Sequence, residues 1–180
     1  MISEQAKERM RNLASRYPAA RSAVMPALYI AQQEAGYITR DALEAVAETI
    51  GLTVDDVESV ATFYTMYYQQ PPGKKVIKVC ASISCYLRNC DALITHLEQR
   101  LGIKRGETTA DGNYTLLAVE CLASCGTAPV IQVNNEFVEQ VTLEMADALI
   151  DEWDRELKAN VGTQFIASSS DQEISVPRAQ

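Results

Sequence analysis

The sequence predicts an α/β protein in which a helical bundle precedes a domain built on a four-stranded mixed sheet. Two observations lead to this class. Apolar residues recur at helical spacing up to about residue 70, whereas strand-like and helical segments alternate after Pro71-Pro72-Gly73. We therefore predict a helical bundle over residues 1–72 and a sheet domain over 73–158. The Ser-rich, aperiodic tail over 159–180 is expected to be disordered or bound to a partner.

Four helices are predicted in the first region. The first covers residues 3–16, and the second covers about 21–34, where Pro26 marks either a kink or a late start. The third and fourth are expected to begin at the capping residues Thr39 and Thr53. No single helix of this kind buries its apolar stripe alone, so the four should pack into a bundle.

An aromatic run follows the fourth helix and comprises Phe63, Tyr64, Tyr67 and Tyr68. Rings of this size contribute large apolar areas to cores and interfaces. We expect them to pack the bundle against the sheet domain. A partner-binding face is the alternative.

The second region alternates between strand and helix patterns. Residues 76–79 predict a strand that ends at Cys80, and apolar positions over 87–101 predict one helix. A second strand is expected over 114–120, a hairpin with an Asn-Asn turn over 130–138, and a final helix over 142–157. The order β-α-β-β-β-α predicts a mixed sheet with helices packed on it.

The net charge excludes several classes of partner. The chain has 16 Lys and Arg against 24 Asp and Glu, a formal charge of −8. Nucleic acid and anionic lipid both require clustered basic residues, so neither is expected as a partner. The first residues lack the apolar core of a signal peptide, and no stretch approaches the roughly 18 apolar residues of a membrane span. A cytoplasmic location is therefore expected.

The cysteines carry the strongest functional signal. Cys80 and Cys85 are spaced C-x4-C, and Cys121 and Cys125 are spaced C-x3-C. Each pair follows a predicted strand, so two loops at one end of a sheet can bring four thiolates together. Small residues flank the cysteines, so backbone N–H groups can approach the sulfurs. This pattern fits a [2Fe–2S] cluster, which needs four thiolates in an apolar, hydrogen-bonding pocket.

Other interpretations of the cysteines fit less well. Structural zinc usually uses C-x2-C knuckles, which are missing here, and no C-x-x-C dithiol motif occurs. Cys80, Cys85 and Cys90 are evenly spaced, so spacing alone leaves open which two bind. Cys90 falls on the apolar stripe of the following helix, which favours a buried hydrophobe. The single histidine, His96, excludes a Rieske centre, which needs two. No nucleotide-binding motif is present, so no site for NADH, flavin or ATP is expected.

These residues resemble a known family. The segments 80–85 and 119–130 are similar to the two cluster loops of the thioredoxin-like [2Fe–2S] ferredoxins. More narrowly, they resemble those of the E subunits, the small cluster subunits of bacterial NADH-quinone oxidoreductases. Segments 23–28, 33–37 and 60–64 also resemble the N-terminal part of these subunits. The likeness covers about residues 10–155.

The resemblance implies a ligand set and a role. The ligands would be Cys80, Cys85, Cys121 and Cys125, with no catalytic residue in this chain, and Cys90 matches no ligand. The sheet domain would be thioredoxin-like. Asn89 stands where the family pattern has glycine.

The resemblance also implies partners. The chain would transfer single electrons beside a larger flavoprotein subunit that carries FMN, the NADH site and a [4Fe–4S] cluster. Other peripheral-arm subunits would complete this NADH-oxidising module on the cytoplasmic side of the inner membrane. The alternatives are the equivalent subunit of an NAD-dependent formate dehydrogenase or an NAD-reducing hydrogenase. A zinc-stabilised interaction module is a further alternative.

Overall fold

The N-terminal region is a bundle of four helices. A computed structural model describes residues 2–160 of the chain. A short 3-10 turn at Ala20–Ala23 precedes the second helix, so Pro26 lies in the first turn of that helix. The N–H groups of a first turn have no partner within the helix, so proline, which lacks an N–H, fits there. The late start predicted for this helix is therefore confirmed, and Pro26 does not mark a kink. The helices are α1 (Glu4–Ala14), α2 (Val24–Ala35), α3 (Arg40–Ile50) and α4 (Val54–Phe63).

Side-chain caps determine where three of these helices begin. Ser3, Thr39 and Thr53 have extended backbones, and each accepts a hydrogen bond from an N–H in the first turn. Gly51 ends α3 in the left-handed conformation. The predicted caps at Thr39 and Thr53 are confirmed.

The C-terminal region is a four-stranded mixed sheet with helices. Its strand order is β2-β1-β3-β4; β1 pairs parallel with β2 and antiparallel with β3, and β3 and β4 form the predicted hairpin. The α/β class and the mixed sheet are confirmed. The elements are β1 (Lys75–Cys80), α5 (Ile83–Leu87), α6 (Cys90–Leu101), β2 (Tyr114–Val119), β3 (Ile131–Val133), β4 (Glu136–Val138) and α7 (Leu143–Asn160), with a 3-10 turn at Cys125–Thr127.

The single helix predicted over 87–101 is wrong. It is divided between α5 and α6 because Asn89 has φ 68°, and an α-helix cannot continue through a left-handed residue. Leu87 ends α5 with 76% of its surface exposed, so it does not belong to the apolar stripe of α6. Asparagine tolerates this conformation better than most residues other than glycine.

Two large cores lie on either side of the predicted boundary at residue 72. One is formed by α1–α4 together with Tyr67, and the other by the sheet with α6 and α7. That residue 72 is a domain boundary stays a prediction. Helix α7 runs two residues past the predicted limit at 158, and residues 161–180 of the predicted tail lie outside the described residues. No helix within 2–160 has the length and apolar character needed to cross a bilayer.

The aromatic run does not act as one unit. Tyr67 is buried in the bundle core, where its hydroxyl donates to the Met25 carbonyl at 2.8 Å. Tyr68 meets the sheet domain: the Lys78 Nζ lies 5.8 Å from its ring centroid. Phe63 is 77% exposed and touches Tyr64 edge-on, with ring centroids 5.1 Å apart. Packing of all four rings against the sheet is therefore wrong.

Candidate metal-cluster site

The first cysteine pair lies where β1 passes into α5. Cys80 is the last residue of β1, and its N–H donates to the Val130 carbonyl at 3.1 Å. The next residue, Ala81, donates to the Val119 carbonyl of β2 at 2.8 Å, which extends the sheet pairing up to the loop. Cys85 lies inside α5, and both thiols are buried. The backbone therefore holds both sulfurs at the carboxyl end of β1.

The two buried thiols form an asymmetric pair. Burial raises the pKa of the Cys80 thiol, but hydrogen bonds from the backbone N–H groups of Leu122 and Ser82 and from the Cys85 thiol outweigh it and lower the pKa. Burial, together with the hydrogen bond to Cys80, raises the pKa of Cys85 to about 11. Metals bind the thiolate form, and the lowered pKa of Cys80 favours that form at this sulfur.

The second pair lies in the loop after β2 and is exposed. The Sγ atoms of Cys121 and Cys125 are 3.6 Å apart. Between them, Ala123 adopts φ 63°, and its N–H donates to Cys121 Sγ at 3.3 Å. The turn thus folds back on the first sulfur while Cys125 begins the 3-10 turn. Both thiols face the same side of one short loop.

The two cysteine loops converge. Since β1 and β2 are parallel, their carboxyl ends emerge at the same edge of the sheet. The Ala81 N–H at the start of the first loop donates to the carbonyl of Val119, the last residue of β2. The side chain of Leu122, from the second loop, packs on the small apolar cluster that contains Cys80 and Cys85. An apolar contact therefore joins the two loops.

Cys90 lies beside the first cysteine pair, whereas His96 lies on a different surface. Cys90 is fully buried in the same apolar cluster, and burial followed by the charge of Asp91 raises the pKa of its thiol. This environment fits a small packing residue. The His96 Nε2 lies 2.9 Å from Asp147 Oδ1, on the α6–α7 surface.

The donor set fits a two-iron cluster. The four thiols form one pair from each loop, and a [2Fe–2S] cluster is held by four cysteines, two on each iron. The Ala123 N–H already donates to the Cys121 sulfur, and such a donor stabilises thiolate charge. Within residues 2–160, no three His, Cys, Asp or Glu side chains surround a position for a single ion.

A carboxylate lies beside the second loop, and no sequence pattern predicted it there. The Ser124 hydroxyl, between Cys121 and Cys125, donates a short hydrogen bond to Glu139 Oε1. Hydrogen bonds from Ser124 and Thr127 lower the pKa of Glu139. Glu139 is 14 residues beyond Cys125 along the chain. No motif links the two, because only the return of the β3–β4 hairpin brings them together.

Both cysteine loops lie within the range matched by a known family model. The family model described as thioredoxin-like [2Fe-2S] ferredoxin matches residues 10–154. That range covers both cysteine loops and most of the helical bundle.

Several curated relatives match most of this chain. The NADH-quinone oxidoreductase E 2 subunit of Rhizobium meliloti (strain 1021) is 44% identical over 145 residues, which are 81% of this chain and 86% of the relative. NADH-quinone oxidoreductase subunit 2 of Thermus thermophilus is 46% identical over 131 residues, 72% of each chain. The NADH-quinone oxidoreductase E subunit of Mycobacterium bovis is 41% identical over 78% of this chain, which spans only 56% of that relative.

A solved structure shares the fold. The chain of an NAD+-reducing [NiFe]-hydrogenase in the air-oxidised state superposes with a TM-score of 0.67 at 22% identity. The match covers 74% of this chain and 23% of the hydrogenase chain. At this identity the likeness concerns the fold alone.

Proposed function

Because this chain belongs to the thioredoxin-like [2Fe–2S] ferredoxin family, we propose that Cys80, Cys85, Cys121 and Cys125 hold one [2Fe–2S] cluster. One contact supports the proposal most directly. Leu122, next to Cys121, packs on the apolar cluster that contains Cys80 and Cys85, so the two pairs lie close together in the fold. When bound, a [2Fe–2S] cluster accepts and releases single electrons.

The residues of the chain support that chemistry in three ways. The buried thiols of Cys80 and Cys85 keep water from one side of the site. The Ala123 N–H donates to the Cys121 sulfur and offsets negative charge. The exposed thiols of Cys121 and Cys125 lie at the surface, where an electron can cross to another protein. The site is thus sheltered on one side and accessible on the other.

The physiological role follows from the curated relatives. Those at 41–46% identity are named as NADH-quinone oxidoreductase subunits, whereas the hydrogenase match at 22% speaks only to the fold. We therefore propose one-electron transfer within the NADH-oxidising module of such a complex. The partner would be a larger flavoprotein subunit with FMN, the NADH site and a [4Fe–4S] cluster, on the cytoplasmic side of the membrane. In this assembly residues 1–72 would form the docking bundle, and 73–158 would carry the cluster.

The cofactor is tested on the purified full-length chain. Iron and acid-labile sulfide should each approach two per chain, and the dithionite-reduced protein should give the electron paramagnetic resonance signal of a one-electron-reduced [2Fe–2S] centre. A colourless protein with one zinc per chain would refute the proposal in favour of a structural zinc site.

The partner is tested separately, by purifying the tagged chain from its own host under mild conditions. A flavin-containing subunit of an NADH-quinone oxidoreductase should co-purify. Recovery with a formate dehydrogenase or hydrogenase would overturn the assignment to that complex while leaving the cluster assignment intact.

A further inference from the structure

A hydroxyl network connects Glu139 to the second cysteine loop. The Ser124 hydroxyl donates to Glu139, and Ser124 Oγ lies 2.8 Å from Thr127 Oγ1. Thr127 Oγ1 also lies 3.1 Å from the Ser124 carbonyl oxygen, so its one proton is shared between that oxygen and Ser124 Oγ. Ser124 and Thr127 flank Cys125, so the network encloses one of the proposed ligands.

The segment that carries Glu139 is itself attached to this loop. The Gln140 N–H donates to the Thr127 carbonyl at 2.8 Å, and the Val141 N–H donates to the Pro129 carbonyl at 3.0 Å. Two main-chain hydrogen bonds therefore hold segment 139–141 alongside the loop. The backbone that carries the Glu139 side chain therefore lies beside the loop, within reach of Ser124.

The loop needs such support. Ala123 has φ 63°, a conformation that a residue with a Cβ rarely adopts. Residues of this kind persist where their surroundings determine the backbone. On one side of Ala123 its own N–H is bonded to Cys121 Sγ, and on the other Ser124 is bonded to Glu139.

We propose that Glu139 is a positioning residue for the cluster: it clamps the Cys121–Cys125 loop through Ser124 and places a negative charge beside it. The inference rests on the ligation proposed above. Reduction adds negative charge to the site, so a nearby carboxylate should make reduction less favourable. Because Glu139 is exposed at a surface loop, solvent and salt screen this effect, and it should weaken as ionic strength rises.

Two substitutions separate the clamp from the charge. Glu139→Gln keeps an oxygen that accepts the Ser124 hydrogen bond but removes the charge, whereas Glu139→Ala removes both. Glu136→Gln is the matched control, because Glu136 is exposed on the same hairpin at the opposite end of β4. All three variants are made in the cluster-loaded, full-length chain.

The reduction potential is followed by a redox titration monitored by electron paramagnetic resonance. Cluster loss is followed as bleaching in the presence of an iron chelator. Glu139→Gln should move the potential to a more positive value than Glu136→Gln does, with bleaching as slow as in the wild type. Glu139→Ala should shift the potential similarly and bleach several-fold faster. If Glu139 only stabilised the fold, its substitution could change the bleaching rate, but Glu139→Gln would leave the reduction potential unchanged.

Equal potentials for Glu139→Gln and Glu136→Gln would overturn the role of the charge. Wild-type bleaching in Glu139→Ala would overturn the clamp. Neither result affects the ligand proposal, which fails on a different observation, namely a wild-type chain that contains no iron and sulfide.

Discussion

Cys90 and Cys121 should respond in opposite ways to substitution. Cys90 is fully buried but is not among the proposed ligands, whereas Cys121 is an exposed proposed ligand. Burial determines how much a substitution lowers the free energy of unfolding, and ligation determines how much it lowers the iron content. Measuring both quantities on both residues therefore tests the ligand assignment with the fold as an internal control.

The expected magnitudes follow from these environments. Cys90→Ala deletes one buried heavy atom and should lower the free energy of unfolding by about 1 kcal/mol. Cys90→Ser places a hydroxyl in the apolar cluster with Cys80 and Cys85, which should cost about 1–3 kcal/mol. Cys121→Ser alters an exposed side chain, so its effect on the cluster-free chain should stay within about 0.5 kcal/mol.

The assay pairs urea unfolding of the cluster-free chain with iron counting after cluster reconstitution. Both Cys90 variants should be less stable yet retain wild-type iron. Cys121→Ser should be as stable as the wild type yet lose most of its iron. The reasoning is refuted if Cys90→Ser loses the iron while Cys121→Ser keeps it, because Cys90 would then be a ligand.

Three further predictions concern the scaffold around the site. Gly73→Ala would place a Cβ 2.6 Å from the main-chain carbonyl carbon of Tyr114. The urea midpoint should therefore fall by the equivalent of about 1–3 kcal/mol. Gly126→Ala is the control, because a Cβ at Gly126 would meet no atom within 4 Å. Burial raises the pKa of Tyr67 to about 12 from an ordinary 10.0, so the contribution of its neutral hydroxyl is complete below pH 10 and is lost as the pH rises toward 12. Between pH 10 and 12, the free energy of unfolding should therefore fall less for Tyr67→Phe than for the wild type. Urea unfolding measured at several pH values would contradict this if both proteins lost the same amount. Asn89→Ala should destabilise the chain by about 1 kcal/mol because φ is 68°, while Asn89→Gly should not, as thermal melts would show.

Local patterns were sufficient for most elements. Thr39, Thr53 and the Asn134 turn carry short-range chemistry that ends or begins an element, and each acts as predicted. The failures have a common origin. The break at Asn89 leaves the apolar spacing intact on both sides, so periodicity alone could not reveal it. Burial of Tyr67 and exposure of Phe63 depend on how the end of α4 meets the bundle, which is not a property of the aromatic run.

The sequence by itself determined the chemistry available to this protein: two cysteine pairs, each after a strand, in an acidic chain with one histidine. Those features depend on residue type and on spacing along the chain. The tertiary structure decided which groups act on one another. Parallel pairing of β1 with β2 brings Leu122 onto the apolar cluster that contains Cys80, and the return of the β3–β4 hairpin brings Glu139 to Ser124. Such contacts join residues far apart in sequence, so they exist only once the strands have taken their places in the sheet.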